Sequence, residues 1–377
     1  MTAIALAVDL CLYSSLVPLL PALPVVGGSP VLSGALFAVY AVALLAATPL
    51  VGAWVDRKGP RVPLLAGLAG TAAATAAFAA ATGMGDAAVG VLFFARVAQG
   101  AAAAVSWTAG LALIAATHEP DRRGKAMGVA LSSAWFGALV GPAASGALAD
   151  AYGPHAPFVL IAVLAAVDAA ARIVLIGPVD TTAVGTPYRA LSRGPRLPAL
   201  VGLTALGAVA LSFPEPVIPA HLTEFGLGGT GIGLAFAAVA LCGILAAPAA
   251  GALTDRVGAR RVVAIGFAVT ATGFALSGRP SAALSVVGLV ILGVGAQLIL
   301  APTLVLVAGL AESVDPPAYG GAYSVYTLAY TAGLAAAPLA AGVATGLLGV
   351  PATMLIAAGL TSAGLIAVLA PRVSRTG

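Results

Sequence analysis

The decapeptide Gly52-Ala-Trp-Val-Asp56-Arg57-Lys-Gly59-Pro-Arg61 returns as Gly251-Ala-Leu-Thr-Asp255-Arg256-Val-Gly258-Ala-Arg260, 199 residues later. Each copy is a short charged loop between long apolar runs. The repeat extends well beyond the loop. Pro18-Leu-Leu-Pro21 matches Pro216-Val-Ile-Pro219 at an offset of 198, and Gly137, Pro142 and Gly146 match Gly333, Pro338 and Gly342 at 196. Three matches at nearly one offset are hard to obtain by chance, so the chain reads as a duplication of one half.

The surrounding composition says what the halves are made of. Of 377 residues, 8% are charged and 61% hydrophobic, and the mean hydropathy is +1.08. An ordinary soluble protein carries about 25% charge and needs it to cover its surface. Disorder is excluded by the amount of apolar surface. A transmembrane β-barrel would alternate polar and apolar residues, whereas these runs are nearly continuous. The fold class is therefore an all-α membrane protein. At about 20 residues per span, the length accommodates twelve transmembrane helices in two pseudo-symmetric six-helix bundles. They are expected at 1–177 and 197–377, joined by a cytoplasmic linker, 178–196.

Loop signals place helix 1 at Thr2–Val25, helix 2 at Val31–Trp54, helix 3 at Arg61–Gly83 and helix 4 at Asp86–Thr117. Helices 5 and 6 follow at Arg123–Asp150 and Ala156–Gly177, and helices 7 to 9 at Leu197–Phe225, Thr230–Leu253 and Arg260–Gly278. Helices 10 to 12 are expected at Ala282–Glu312, Tyr319–Leu348 and Pro351–Ala370. The loops after helices 2, 4, 6 and 8 are rich in Arg and Lys, while the opposite loops hold only Arg279. The positive-inside rule then puts both termini in the cytoplasm. The preference for Arg over Lys and for Ala, Gly and Val points to a bacterial cytoplasmic membrane. The N-terminal run lacks a basic flank, contains Asp9 and is too long for a signal peptide, so it reads as the first span. Only eight residues precede Asp9, which leaves an upstream start open. Cys11 and Cys242 lie in apolar runs, and no metal-ligand spacing exists, the histidines included. A small net charge of +4 gives no nucleic-acid footprint.

The two loops resemble the signature between helices 2 and 3 of the major facilitator superfamily and its copy between helices 8 and 9. In that reading Gly52 and Gly251 allow close helix approach. Asp56, Arg57, Arg61, Asp255, Arg256 and Arg260, with turn glycines Gly59 and Gly258, form gate motifs that break as the halves rock. The simpler reading is that these charges only set topology. Gly128, Gly137, Gly141-Pro142 and Gly146 in helix 5 resemble the family's antiporter motif, with Ser145 in place of one usual glycine. Arg96-Val-Ala-Gln99-Gly100 resembles the RxxQG motif of drug:proton antiporters. An arginine deep in a helix is costly without partners. Carbonyls of helix 1, Gln99 or a carboxylate are the candidates, and Arg96 is either a proton relay or a clamp between helices.

Three acids lie within spans: Asp9, followed one turn later by Tyr13; Asp168; and Glu215, between Pro214 and Pro216. The segments around them resemble helices 1, 6 and 7 of the vesicular amine transporter branch. That resemblance implies proton-coupled efflux of hydrophobic or cationic small molecules, with no cofactor beyond the proton gradient and no enzymatic activity. A dedicated natural-product exporter or a metabolite importer of the same superfamily is the alternative, and a non-transporting sensor a remote one. Departures appear at Tyr40, Gln297 and Thr327, where the branch carries ionisable residues. Asp168 is expected to pair with Arg172 one turn on. Proton coupling and substrate contact are thus expected at Asp9, Arg96, Glu215 and Gln297. The cavity candidates are Tyr13, Tyr40, Gln99, Trp107, Trp135, Phe213, Tyr323, Tyr326, Thr327 and Tyr330. The tyrosines of helix 11 recur on one face, suited either to cation–π attraction or to packing. The partners are a small-molecule substrate, protons and the bilayer, with a monomeric assembly and no metal.

Overall fold

The computed structural model describes residues 2–20, 23–26, 28–85, 88–117, 120–175, 197–312 and 319–369. The linker 178–196, Pro21, His118 and the C-terminal arginines lie outside them. Among the described residues the regular structure is helical throughout. The first half contains α1 (Thr2–Leu19), α2 (Pro30–Lys58), α3 (Arg61–Ala81), α4 (Ala88–Thr117), α5 (Pro120–Tyr152) and α6 (Ala156–Leu175). The second contains α7a (Leu197–Ser212), α7b (Ile218–Glu224), α8 (Gly229–Val257), α9 (Ala259–Ser277) and α10 (Ala282–Glu312). A last helical run, Tyr319–Leu369, is broken only at Gly349 (φ 77°, ψ 164°). We call its parts before and after that residue α11 and α12.

Helices 2 and 8 run on to Lys58 and Val257 rather than ending at Trp54 and Leu253, so most of each charged repeat is the last turns of a helix rather than a loop. Two further boundaries move at prolines. Helix 1 ends at Leu19 rather than Val25, just after Pro18. Helix 7 is split, because Pro214 and Pro216 each lack an N–H and crowd the preceding turn. Residues 213–217 therefore form a turn at mid-depth, and Glu215 sits in it. Seven helical runs among the described residues are long and apolar enough to cross a membrane, the joined α11–α12 run counting once. Shorter apolar stretches occur in α1, α6 and α7a. The first turns of α5 carry Asp121, Arg122, Arg123 and Lys125, which dilute its hydropathy.

Burial is inverted relative to a soluble protein. Leu50, Phe94, Leu347 and Leu360 are exposed, whereas Arg96, Ser106 and Thr204 are fully buried. This is the pattern of a bundle solvated by lipid, with its polar groups turned inward. Within the first half, α1 packs on α5, α2 and α3 on α4, and α3 on α6. Within the second, α9 packs on α10, α8 on α10, and α11 on α7a. Two seams join the halves: α5 against α8, and α2 against α11.

The seams repeat each other atom for atom. A Cβ added at Gly146 would strike the carbonyl oxygen of Gly229, and one at Gly342 that of Pro30. Gly233 lies on the carbonyl of Pro142, and Gly34 on that of Pro338. Inside the halves, Gly137 lies on the carbonyl of Ala7 and Gly333 on that of Ala205. These pairs follow the sequence offsets of 196 to 199. Small residues let backbones touch where the hydrophobic effect supplies no force between helices. Both seams close the end of the molecule opposite the Arg-rich loops.

Candidate functional site

The turn between α7a and α7b aims Glu215 across the molecular centre at the first half. Tyr13 Oη donates a 2.8 Å hydrogen bond to Glu215 Oε2, so a residue of α1 holds a residue 202 positions away. The Tyr13 ring packs edge-on against Phe37 at 5.7 Å and lies 5.2 Å from the Tyr40 ring, both on α2. Asp9 is buried on α1 one helical turn before Tyr13, on the same face.

Arg96 on α4 is the largest fully buried side chain. Its Nε donates to the Leu36 carbonyl at 3.0 Å and its Nη1 to Gln99 Oε1 at 2.9 Å. Gln99 Nε2 in turn donates to Thr75 Oγ1 at 3.2 Å, and the Thr75 hydroxyl donates to the Thr71 carbonyl at 2.7 Å. The guanidinium carbon stands 4.4 Å from the Tyr40 ring centroid and 5.9 Å from that of Tyr13. Planar guanidinium on an aromatic face is a favourable way to hold a charge in a dry site. Gln99 is the partner expected from the sequence. The carbonyl is a correction: it belongs to α2, not α1, because α2 and α4 are the elements in close contact there. Tyr13 thus touches both charges, donating to the carboxylate and offering its ring to the cation.

The other candidates divide. Gln297 is buried on α10, its amide lying by Gly243 of α8, away from this cluster. Tyr326 and Tyr330 stack at 6.4 Å with planes 15° apart. Phe213 packs edge-on against Phe274 of α9 at 5.7 Å and against the buried core that both halves share, which includes Tyr13, Phe37 and Tyr40. Trp107 packs among Leu6, Ile114 and Ala134, between α1, α4 and α5. Trp135 is half-buried and Thr327 exposed. The side chains of Tyr323, Asp56 and Arg172 lie outside the described set.

In the antiporter-like element, Gly137 and Gly141 face α1, where a Cβ at Gly141 would meet the Cys11 carbonyl at 2.5 Å. Ser145 Oγ donates to the Ser15 carbonyl at 3.1 Å. Pro142 and Gly146 face α8 instead. The motif is therefore the shared wall of the central site and one seam, and Gly128 lies farther down α5. The gate motifs form the last turns of α2 and α8. Space is open around Gly52 and Gly251, so no helix approaches them closely. The seams close the opposite end, while Val51 and Val55, on another face of this end of α2, are buried against α3, α4 and α6. Gly59 and Gly258 take φ of 71° and 87°, which favours glycine at both turns. Arg57 Nε bonds its own helix at the Ala53 carbonyl. Arg260 donates to the Val368 and Leu369 carbonyls at the end of α12. Asp255 and Arg256 are exposed.

Sequence reading gave no signal for Thr75, Leu36 or the end of α5 opposite the Arg-rich loops. There, Asp150 accepts from Gly229 N (3.0 Å), Thr230 N (2.7 Å) and Thr230 Oγ1 (2.7 Å) of α8.

Comparison with known proteins agrees with this architecture. The sequence profile of the Major Facilitator Superfamily matches residues 2–213 and again 200–376. The chain is 33% identical to a probable vesicular acetylcholine transporter-B of Danio rerio over 230 residues, 57% of this chain and 46% of that one. It is 35% identical to the vesicular acetylcholine transporter of Rattus norvegicus over 193 residues, 49% of this chain and 36% of that one. It is 27% identical to the chromaffin granule amine transporter of Homo sapiens over 338 residues, 86% of this chain and 62% of that one. The matched region thus spans less than two thirds of each relative. Among solved structures, the nucleoside transporter NupG superposes with a TM-score of 0.75 at 14% identity, covering 98% and 97% of the two chains. A bacterial homolog of the human lysosomal transporter Spinster, inward-facing and occupied, gives 0.77 at 16%, covering 97% and 90%. These structures share the fold. With the family's profile matched twice along its length, this chain belongs to the Major Facilitator Superfamily, a family of membrane transporters and not of enzymes.

Proposed function

We propose that this protein is a secondary active transporter that exports hydrophobic or cationic small molecules in exchange for protons, by alternating access. The observation that carries the reading is the Tyr13–Glu215 hydrogen bond, which ties the two halves together at mid-depth. An ionised carboxylate accepts strongly from a phenol, and a protonated one accepts weakly. A cation that takes the carboxylate also takes it from Tyr13. Proton and substrate therefore compete for Glu215 and bias the same contact between the halves. That is the condition for coupling. Asp9, one turn away, offers a second carboxylate to the same cation or proton. Arg96 keeps the first-half wall in place and supplies the positive charge that a bound cation must displace from the aromatic faces.

A cationic substrate class is supported by the paired acids and by the named cargo of the vesicular relatives. Entry is from the Arg-rich end, which positive-inside reasoning makes cytoplasmic, together with both termini. The membrane is the bacterial cytoplasmic one, the protein acts as a monomer, and the proton gradient is the energy source. The test is uptake of a fluorescent organic cation into inside-out proteoliposomes with an imposed pH gradient. The parent protein should concentrate the dye only with the gradient. An Asp9→Asn, Glu215→Gln double variant should not. Gradient-driven uptake at the parent rate by that variant would overturn the residue assignment.

A further inference from the structure

The two seams match at the backbone but differ in one hydrogen-bonded feature. Helix α2 begins after Ser29, whose side chain accepts from Leu32 N and caps the helix within its own half. The repeat counterpart of Ser29 is Gly228, which precedes α8 and has no side chain with which to cap it. The unsatisfied N–H groups of a helix start need an acceptor. For α8 that acceptor comes from the other half, as the carboxylate of Asp150, with three bonds to Gly229 and Thr230. At the place of Asp150 in the second half stands Gly346. Thus the cap has moved across one seam and stayed local at the other. The local glycines fit this arrangement, since a Cβ at Gly229 would come within 2.9 Å of Asp150 Oδ1.

We propose that Asp150 is a positioning residue of the transport cycle, a latch that holds the outer end closed by capping α8 from the opposite half. The inference rests on the alternating-access reading, since a latch has meaning only if the seam opens. Opening the α5–α8 seam must strip α8 of its cap, whereas opening the α2–α11 seam leaves Ser29 in place. The exposed Asp150 carboxylate is held by bonds from the Thr230 hydroxyl and amide and the Gly229 amide. Among the described residues of the elements packed around it, no other ionisable group confronts it. Residues 228–235 of α8, 14–20 of α1 and 88–95 of α4 carry none. His155, before α6, lies 2.6 Å from the Thr82 hydroxyl through its Nδ1. His221 and Glu224 of α7b face each other at 3.7 Å, and Tyr152 is exposed on the same helix as Asp150.

The experiment separates latching from simple helix capping. Spin labels at Tyr152 of α5 and Leu347 of α11, both exposed on opposite halves, report the outer opening in a Cys11→Ala, Cys242→Ala background. Asp150→Ala should raise the open-to-closed ratio about fivefold, the size of a typical lost cap. Asp150→Asn, which keeps one acceptor oxygen, should fall between. Asp150→Ala combined with Gly228→Ser restores a local cap, for which the extended backbone at Gly228 is suited (φ −75°, ψ 176°). The double variant should stay as open as Asp150→Ala. Return to the parent distribution would make Asp150 a helix cap only, and no change in Asp150→Ala would equally overturn the latch. If the label distance moves with neither variant, substrate nor pH, the alternating-access reading fails instead.

Discussion

The seams make a quantitative prediction about a single methyl group. In Gly233→Ala the new Cβ would overlap the carbonyl oxygen of Pro142, with the carbonyl carbon at 2.8 Å and the Ala143 Cα at 3.2 Å. All three atoms are helix backbone, so no side chain can rotate away. Overpacking of this kind costs about 1–3 kcal/mol. The cost falls only on conformations in which α8 meets α5 at the outer end. It therefore shifts the equilibrium toward outward opening by about 5- to 150-fold. Gly137→Ala is the control. Its Cβ overlaps the Ala7 carbonyl just as badly, but α1 and α5 belong to one half and stay packed in both states. That variant should lose thermal stability without shifting the equilibrium. The assay is the labelling rate of Ser33→Cys, a position 3% exposed behind the α2–α11 seam, by a membrane-impermeant maleimide applied from outside. Gly233→Ala should label faster and Gly137→Ala at the parent rate. Faster labelling in Gly137→Ala, with Gly233→Ala unchanged, would refute the assignment of these glycines to a moving and a fixed interface.

Three further outcomes follow from the central cluster. Tyr13→Phe keeps the ring that faces Arg96 and removes the donor to Glu215; it should fold normally and lose most gradient-driven transport, a separation measured by thermal shift beside proteoliposome uptake. Arg96→Lys should lower the melting temperature, because one ammonium cannot span both the Leu36 carbonyl and Gln99 and lie flat on Tyr40; an unchanged melting curve would remove Arg96 from its role as clamp. Thr75→Val leaves the Gln99 amide without its acceptor inside the first half, a loss of about 1–3 kcal/mol in stability, read by the same thermal assay, with the pH dependence of transport unmoved.

The duplication, the spans and the antiporter-like element were legible because they rest on periodic or exact local patterns. The pair Arg96 and Gln99 was legible for the same reason, being three apart on one helix face. Glu215 stood out as an acid between two prolines, yet the sequence still suggested one continuous helix 7. Two prolines can bend a helix or break it, and the choice depends on what receives the freed backbone. Its bond to Tyr13 could not be read at all, since it depends on how two halves dock over a separation of 202 residues. The same applies to the α2 carbonyl that holds Arg96. Asp150 was missed for a different reason. It sits at an exposed helix end, where an acid is unremarkable, and only the comparison of Gly228 with Ser29 and of Gly346 with Asp150 gives it meaning.

That comparison generalises. Where the halves agree, they carry frame: the charged turns with positive-φ glycines, and the glycine-on-carbonyl contacts of both seams. Where they disagree, they carry the polar chemistry. At the 198-residue offset Asp9 corresponds to Gly207, Tyr13 to Leu211 and Glu215 to Val17. The halves are parallel repeats about an axis along the membrane normal, so symmetry between them does not by itself equate the two states. Placing the phenol on one half and the carboxylate on the other makes the central contact depend on protonation. Placing the cap of α8 on the opposite half makes one seam, and not its twin, depend on closure. The asymmetries mark the polar contacts that one half makes to the other, and they identify the residues at which the cycle is to be interrupted.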